Sequence, residues 1–127
     1  MKSSTPLGRV VRRGSLKAGF SHWWSQRVTA VALVPLSLWF IAALLSLPSF
    51  DYAVLLQWLH DGWHAVLLSL LVGTLCWHSS LGVQVVIEDY VHGHATKLVS
   101  LLLAQFVHVL LATAGVFAVI RVATGAV

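Results

Sequence analysis

Charge is scarce in this sequence of 127 residues, of which 9% are Asp, Glu, Lys or Arg, against about a quarter in an ordinary soluble domain. With 58% hydrophobic residues and a mean hydropathy of +0.86, that scarcity excludes a soluble globular domain and indicates an integral membrane protein. Cysteine is almost absent. Cys76 stands alone in an apolar run, so neither a disulfide framework nor a thiolate cluster for zinc or iron-sulfur can come from this chain by itself. The sequence also has no G-x-G-x-x-G, no P-loop and no Ser/His/Asp hydrolase pattern. Any metal is shared with another chain or held by other groups.

What charge there is lies unevenly. Six of the eight basic residues, Lys2, Arg9, Arg12, Arg13, Lys17 and Arg27, precede the first apolar segment. The net charge of +4 is therefore better explained by a cytoplasmic flank than by nucleic-acid binding. Residues 1–22 form a basic arm that includes Pro6, Gly8, Gly14 and Gly19, and such a composition predicts a mobile or partner-bound segment with little structure of its own. The run that follows, Val28 to Leu47, is too long for the 7–15-residue core of a signal peptide and reads as a retained span. Pro35 lies inside it as a tolerated kink.

Two further spans are expected, at about 63–87 and 98–120, with a short interfacial helix over Tyr52 to Asp61 between the first two. Trp23 and Trp24 on one side, and Trp58 and Trp63 on the other, read as aromatic belts. The arm and the turn at 88–97 hold seven basic residues, the 48–62 loop none and the C-terminus one, so the N-terminus is expected in the cytoplasm. The membrane unit is read as 23–121 and the tail as 122–127. Ser69/Gly73 and Ala114/Ala118 permit close helix contact without specifying a partner.

The stretch from His78 to Tyr90 carries the candidate chemistry. Asp89 lies eleven positions after His78, which at about 100° and 1.5 Å per residue returns to nearly the same helix face ~16 Å further on. His78 is expected near mid-membrane, where an imidazole either hydrogen-bonds a neighbouring helix or ligates a haem iron. Gly82, one turn on, leaves room for a flat macrocycle or another backbone. A second axial histidine must come from a facing helix. His64 is ~21 Å away on the same helix and cannot share an iron. His108 is at a comparable depth, and the spacing leaves it open, although a partner subunit is the preferred source because three spans do not complete a four-helix site.

Glu88 and Asp89 end a helix where its dipole disfavours negative charge. Either Lys97 and the nearby histidines offset them at a solvated turn, or they have a chemical task. Tyr90 is an interface tyrosine or a phenolic hydrogen-bond donor. A phenol, a carboxylate and a buried histidine together suit quinone reduction, which needs donors at a carbonyl oxygen, a proton route and a nearby electron carrier.

Two segments, Ser21-His22-Trp23-Trp24-Ser25-Gln26-Arg27-Val28-Thr29-Ala30 and His78 through Gly82-Val83-Gln84-Val85-Val86-Ile87-Glu88-Asp89-Tyr90-Val91-His92, resemble the hydrophobic membrane anchor of bacterial succinate dehydrogenase (respiratory complex II). The resemblance covers nearly the whole chain, and the His-x10-Asp-Tyr spacing is its most specific element. It implies an all-α membrane protein whose three transmembrane helices form half of a heterodimeric helix bundle. The expected place is the bacterial inner membrane, with the C-terminus periplasmic. The implied partners are cytochrome b556, an iron-sulfur subunit, a flavoprotein and membrane lipid, with no nucleic acid.

By the same resemblance His78 is an axial ligand of a haem b shared with the partner subunit. Tyr90 hydrogen-bonds ubiquinone, Asp89 is the acid beside it, and Arg27 lies near the haem propionates or the quinone pocket. Ser21-His22 also occurs in the family's cytochrome subunit, but Gln26 and Arg27 stand where that subunit carries a tyrosine, which favours the anchor. The implied chain is non-catalytic alone. Two alternatives remain open at this point: the anchor of another quinone oxidoreductase such as a fumarate reductase, and a structural membrane protein without cofactor.

Overall fold

A computed structural model describes residues 6–126, with side chains from Gly19 onward. Its elements are α1 (Pro6–Leu45), α2 (Tyr52–His60), α3 (Gly62–Tyr90) and α4 (His94–Ala123). Three apolar segments, Gly19–Leu45, Gly62–Tyr90 and His94–Ala123, are long enough to cross a membrane. The protein is all-α, as expected, and each span extends beyond the sequence estimate at one end or both.

The arm differs from its expectation. From Pro6 it is helix, continuous with the first span through Pro35. Pro6 opens the helix, where its missing N–H has no partner to lose. The intervening glycines cost about 1 kcal/mol each, but the arm extends a helix already nucleated by the apolar segment, and propagation is far easier than nucleation. Residues 1–5 of the arm, and Val127 of the tail, lie outside the described residues.

Local signals set the remaining ends. Asp61 caps α3, its side chain accepting from the Trp63 N–H at 3.3 Å. Only Val91 to Gly93 separate α3 from α4, so Glu88, Asp89 and Tyr90 belong to the last turn of α3. At the far end of α4, Gly125 adopts φ +70°. Gly125 N–H donates to Val122 O at 3.2 Å and Ala126 N–H to Arg121 O at 3.0 Å, which is the Schellman arrangement. The Arg121 guanidinium closes it by donating to Ala126 O at 2.7 Å.

α3 is the central helix. Among the described residues it packs against both α1 and α4, while α1 and α4 do not meet, and α2 lies across the ends of α3 and α4. The His60 ring, at the end of α2, donates from Nδ1 to Ala123 O at 3.2 Å. Trp39, Trp58 and His64 stack at the same end, with the Trp58 and His64 rings 4.7 Å apart. Trp58 thus packs helices together, whereas Trp63 is exposed as a belt residue.

α3 and α4 approach closely at Gly115, where a Cβ would stand 2.8 Å from Val72 Cγ1. Gly73, by contrast, faces open space. Apolar burial among the described residues is limited to Ala65, Leu71, Leu81 and Val119. So open a layer of helices keeps its apolar faces for lipid or for other membrane helices.

Candidate functional site

Antiparallel packing of α1 on α3 brings a polar stripe of α1 against His78. His22, Gln26 and Thr29 recur at four and three residues, so they share one helix face, and Gln26 and Thr29 both meet the imidazole. Thr29 Oγ1 lies 2.9 Å from His78 Nδ1. Gln26 Nε2 stands 3.5 Å from His78 Nε2, a long contact for a hydrogen bond. The same Gln26 amide faces Gly82, whose added Cβ would be 3.9 Å from it. A Cβ at Gly82 would thus touch this amide in ordinary van der Waals contact, one turn beyond the histidine.

The seam is deep and unevenly satisfied. Thr29 is 3% exposed and the one buried polar residue among those described. Its hydroxyl also approaches the carbonyls of Ser25 and Gln26, at 2.8 Å and 3.2 Å. Gln26 Oε1 and His22 Nε2 are buried without a hydrogen-bond partner among the described residues, an arrangement that costs about 1–3 kcal/mol for each group. His78 stands twelve residues before the end of α3, about 18 Å along the helix.

His108 serves another seam. Its Nδ1 donates to Ala104 O at 2.7 Å, one turn back on α4, and its Nε2 accepts from Ser79 Oγ at 3.2 Å across to α3. Both ring nitrogens are engaged between α3 and α4, while His78 faces α1. His64 lies near the other end of α3, 3.0 Å from Asp61 Oδ2. That carboxylate is not aligned for a hydrogen bond, since His64 Nδ1 is unpartnered.

Asp89 and Tyr90 are exposed at the end of α3, Tyr90 at 79%. Glu88 beside them is held: Gln84 Nε2 donates to its carboxylate at 2.9 Å and Lys97 Nζ to its main-chain oxygen at 2.7 Å. Lys97 thus caps the helix instead of neutralising an acid. Arg27 is exposed and lies over the Trp23 ring at 5.3 Å. The residues of α1 that face His78 are Gln26 and Thr29, not Arg27.

Haem fits this donor set in part. Among the described residues no three metal-ligating side chains converge, so an iron at His78 would take its remaining ligands from a macrocycle and another chain. His78 has one nitrogen tied to Thr29 and the other in a long contact with the Gln26 amide, whose own oxygen is unpartnered among the described residues. Such a histidine is suited to be an axial ligand. A groove of about 460 Å³ between α3 and α4, lined by Ala65, Val66, Leu70, Val116 and Ile120, is almost wholly apolar and lies toward the opposite end from Asp89.

A family model described as succinate dehydrogenase/fumarate reductase transmembrane subunit matches residues 1–117. The chain belongs to this family. Among its relatives are the succinate dehydrogenase hydrophobic membrane anchor subunit of Rickettsia bellii, 40% identical over 61% of this chain and 62% of that protein, and that of Rickettsia conorii, 34% identical over 72% and 74%. The succinate dehydrogenase membrane anchor subunit of Reclinomonas americana is 30% identical over 72% of this chain and 78% of its own. The match to the Rickettsia bellii protein thus spans less than two thirds of that relative. No solved structure matches. Family membership and the three apolar helices together make this a multi-pass membrane subunit.

Sequence reasoning named His78, Asp89, Tyr90 and Arg27 but passed over Gln26 and Thr29. A signal was there: polar residues at 22, 26 and 29 form one face in the first part of an otherwise apolar span, which antiparallel packing sets against His78.

Proposed function

We propose that the chain anchors a succinate:ubiquinone oxidoreductase in the membrane, contributes His78 to a haem b shared with a second membrane subunit, and supplies Asp89 and Tyr90 to ubiquinone reduction at the cytoplasmic rim. The observation that carries this reading is the pairing, on one helix of a family member, of a mid-helix histidine held against α1 with an exposed acid and phenol at the helix end. The open layer of helices, with α3 central and its neighbours apart, offers the half-bundle face that a second membrane subunit would cover.

Haem, when bound, supplies a one-electron carrier within the membrane. This chain's residues do the rest of the work assigned to it. His78 gives a nitrogen lone pair from the α1–α3 seam, with Arg27 at the cytoplasmic mouth of α1 as a cation for propionates or quinone. Tyr90 donates a hydrogen bond to a quinone carbonyl oxygen as that oxygen gains charge, and Asp89 relays protons from the cytoplasm. Two electrons from an iron-sulfur subunit and two protons convert the quinone to the quinol. Lys97 and Gln84 hold Glu88, which keeps the last turn of α3 in place under Asp89 and Tyr90.

Mild-detergent purification with whatever accompanies the chain tests the proposal. Co-purifying flavoprotein and iron-sulfur subunits, a second membrane subunit and a b-type absorption band are the expected result. A colourless preparation without quinone-dependent activity would indicate a structural membrane protein instead.

A further inference from the structure

The contact between Thr29 and His78 has a direction that hydrogen-bond accounting determines. A threonine hydroxyl has one proton. In α1 that proton goes to the main chain, since Thr29 Oγ1 lies 2.8 Å from Ser25 O and 3.2 Å from Gln26 O, the usual back-bonding of a helical threonine. Toward His78 the oxygen is left only to accept, at 2.9 Å. With the threonine proton on the main chain, the proton in that contact is on His78 Nδ1 and the lone pair on Nε2. The Gln26 amide, 3.5 Å from Nε2, agrees as a weak donor toward that lone pair. The free side chain in water favours the opposite tautomer, with the proton on Nε2.

We infer that Thr29 is a positioning residue: it fixes the Nδ1–H tautomer and ring orientation of His78 and so presents Nε2 as the electron-pair donor. This rests on the reading of His78 as a haem ligand for its purpose, but not for its chemistry. Metal-bound histidines typically donate their second N–H to an oxygen, which orients the ring and strengthens the ligand. Thr29 is suited to that task because its burial keeps water from competing and its own proton is committed to the helix.

The tautomer is read directly, without haem, by nitrogen-15 NMR of histidine-labelled full-length chain in lipid nanodiscs, with His78→Ala used to assign the signal. The expected result is a protonated Nδ1 and an unprotonated Nε2, reversing in Thr29→Val and kept in Thr29→Ser. A protonated Nε2 in the unmodified chain overturns the inference. In the assembled complex, Thr29→Val is expected to bind haem about 10–100-fold more weakly and to shift its reduction potential positive, because a weaker donor stabilises ferric iron less. Thr29→Ser should restore both. A purely structural threonine would lower the yield of complex and leave the potential and the tautomer unmoved, which also overturns the inference. A b-type band that survives His78→Ala would remove the ligation reading while the NMR result stands or falls separately.

Discussion

Lys97 donates from Nζ to the main-chain oxygen of Glu88 at 2.7 Å, tying the start of α4 to the last turn of α3. The lysine satisfies a carbonyl that the helix end leaves open. Replacing it with methionine keeps the aliphatic stem and removes the donor. The expected cost is about 0.5–1 kcal/mol of local stability, seen as faster amide exchange over Asp89 to Val91 with exchange in the middle of α3 unchanged.

Tyr90→Phe deletes one oxygen from a side chain that is 79% exposed and packs little. Stability and assembly should not change. Quinone reductase activity of the assembled complex is expected to fall at least about tenfold, since a single positioned donor at a developing oxyanion is worth about that or more. Unchanged turnover would show that the phenol does not touch the quinone.

Histidines 78 and 108 should behave oppositely. His78→Ala is expected to abolish or alter the b-type band in the reduced-minus-oxidised spectrum. His108→Ala, which removes the bonds to Ala104 O and Ser79 Oγ, should leave the band and lower thermal stability by about 1–2 kcal/mol. Loss of the band only in His108→Ala would move ligation to the α3–α4 seam.

Gly115→Ala would place a methyl group 2.8 Å from Val72 Cγ1, separating α3 from α4. A cost of about 1–3 kcal/mol follows from overpacking, measurable as reduced thermal stability in detergent. Gly73→Ala meets nothing within 4 Å and serves as the control that carries the same gain in helix propensity without the clash.

Much of the architecture was legible because a membrane simplifies the problem: backbone groups without water must be satisfied within helices, so apolar runs of sufficient length declare themselves. The structured arm was not legible. Its glycines and charges have the composition of a disordered segment, yet its helix is propagated from a neighbour that composition statistics treat separately. The glycine that sets close approach was also hidden, since Gly73 and Gly115 look alike in sequence and only one meets another helix.

The sequence by itself determined the class, the three spans, the place of His78 within the second span and the presence of Asp89 and Tyr90 at one helix end, because hydropathy and helical periodicity are properties of contiguous residues. Only the tertiary structure decided which groups meet His78. The rotation of α1 about its axis turns Gln26 and Thr29 toward the imidazole and Arg27 toward Trp23, and rotation about a helix axis is set by packing between helices, not by the order of residues along one.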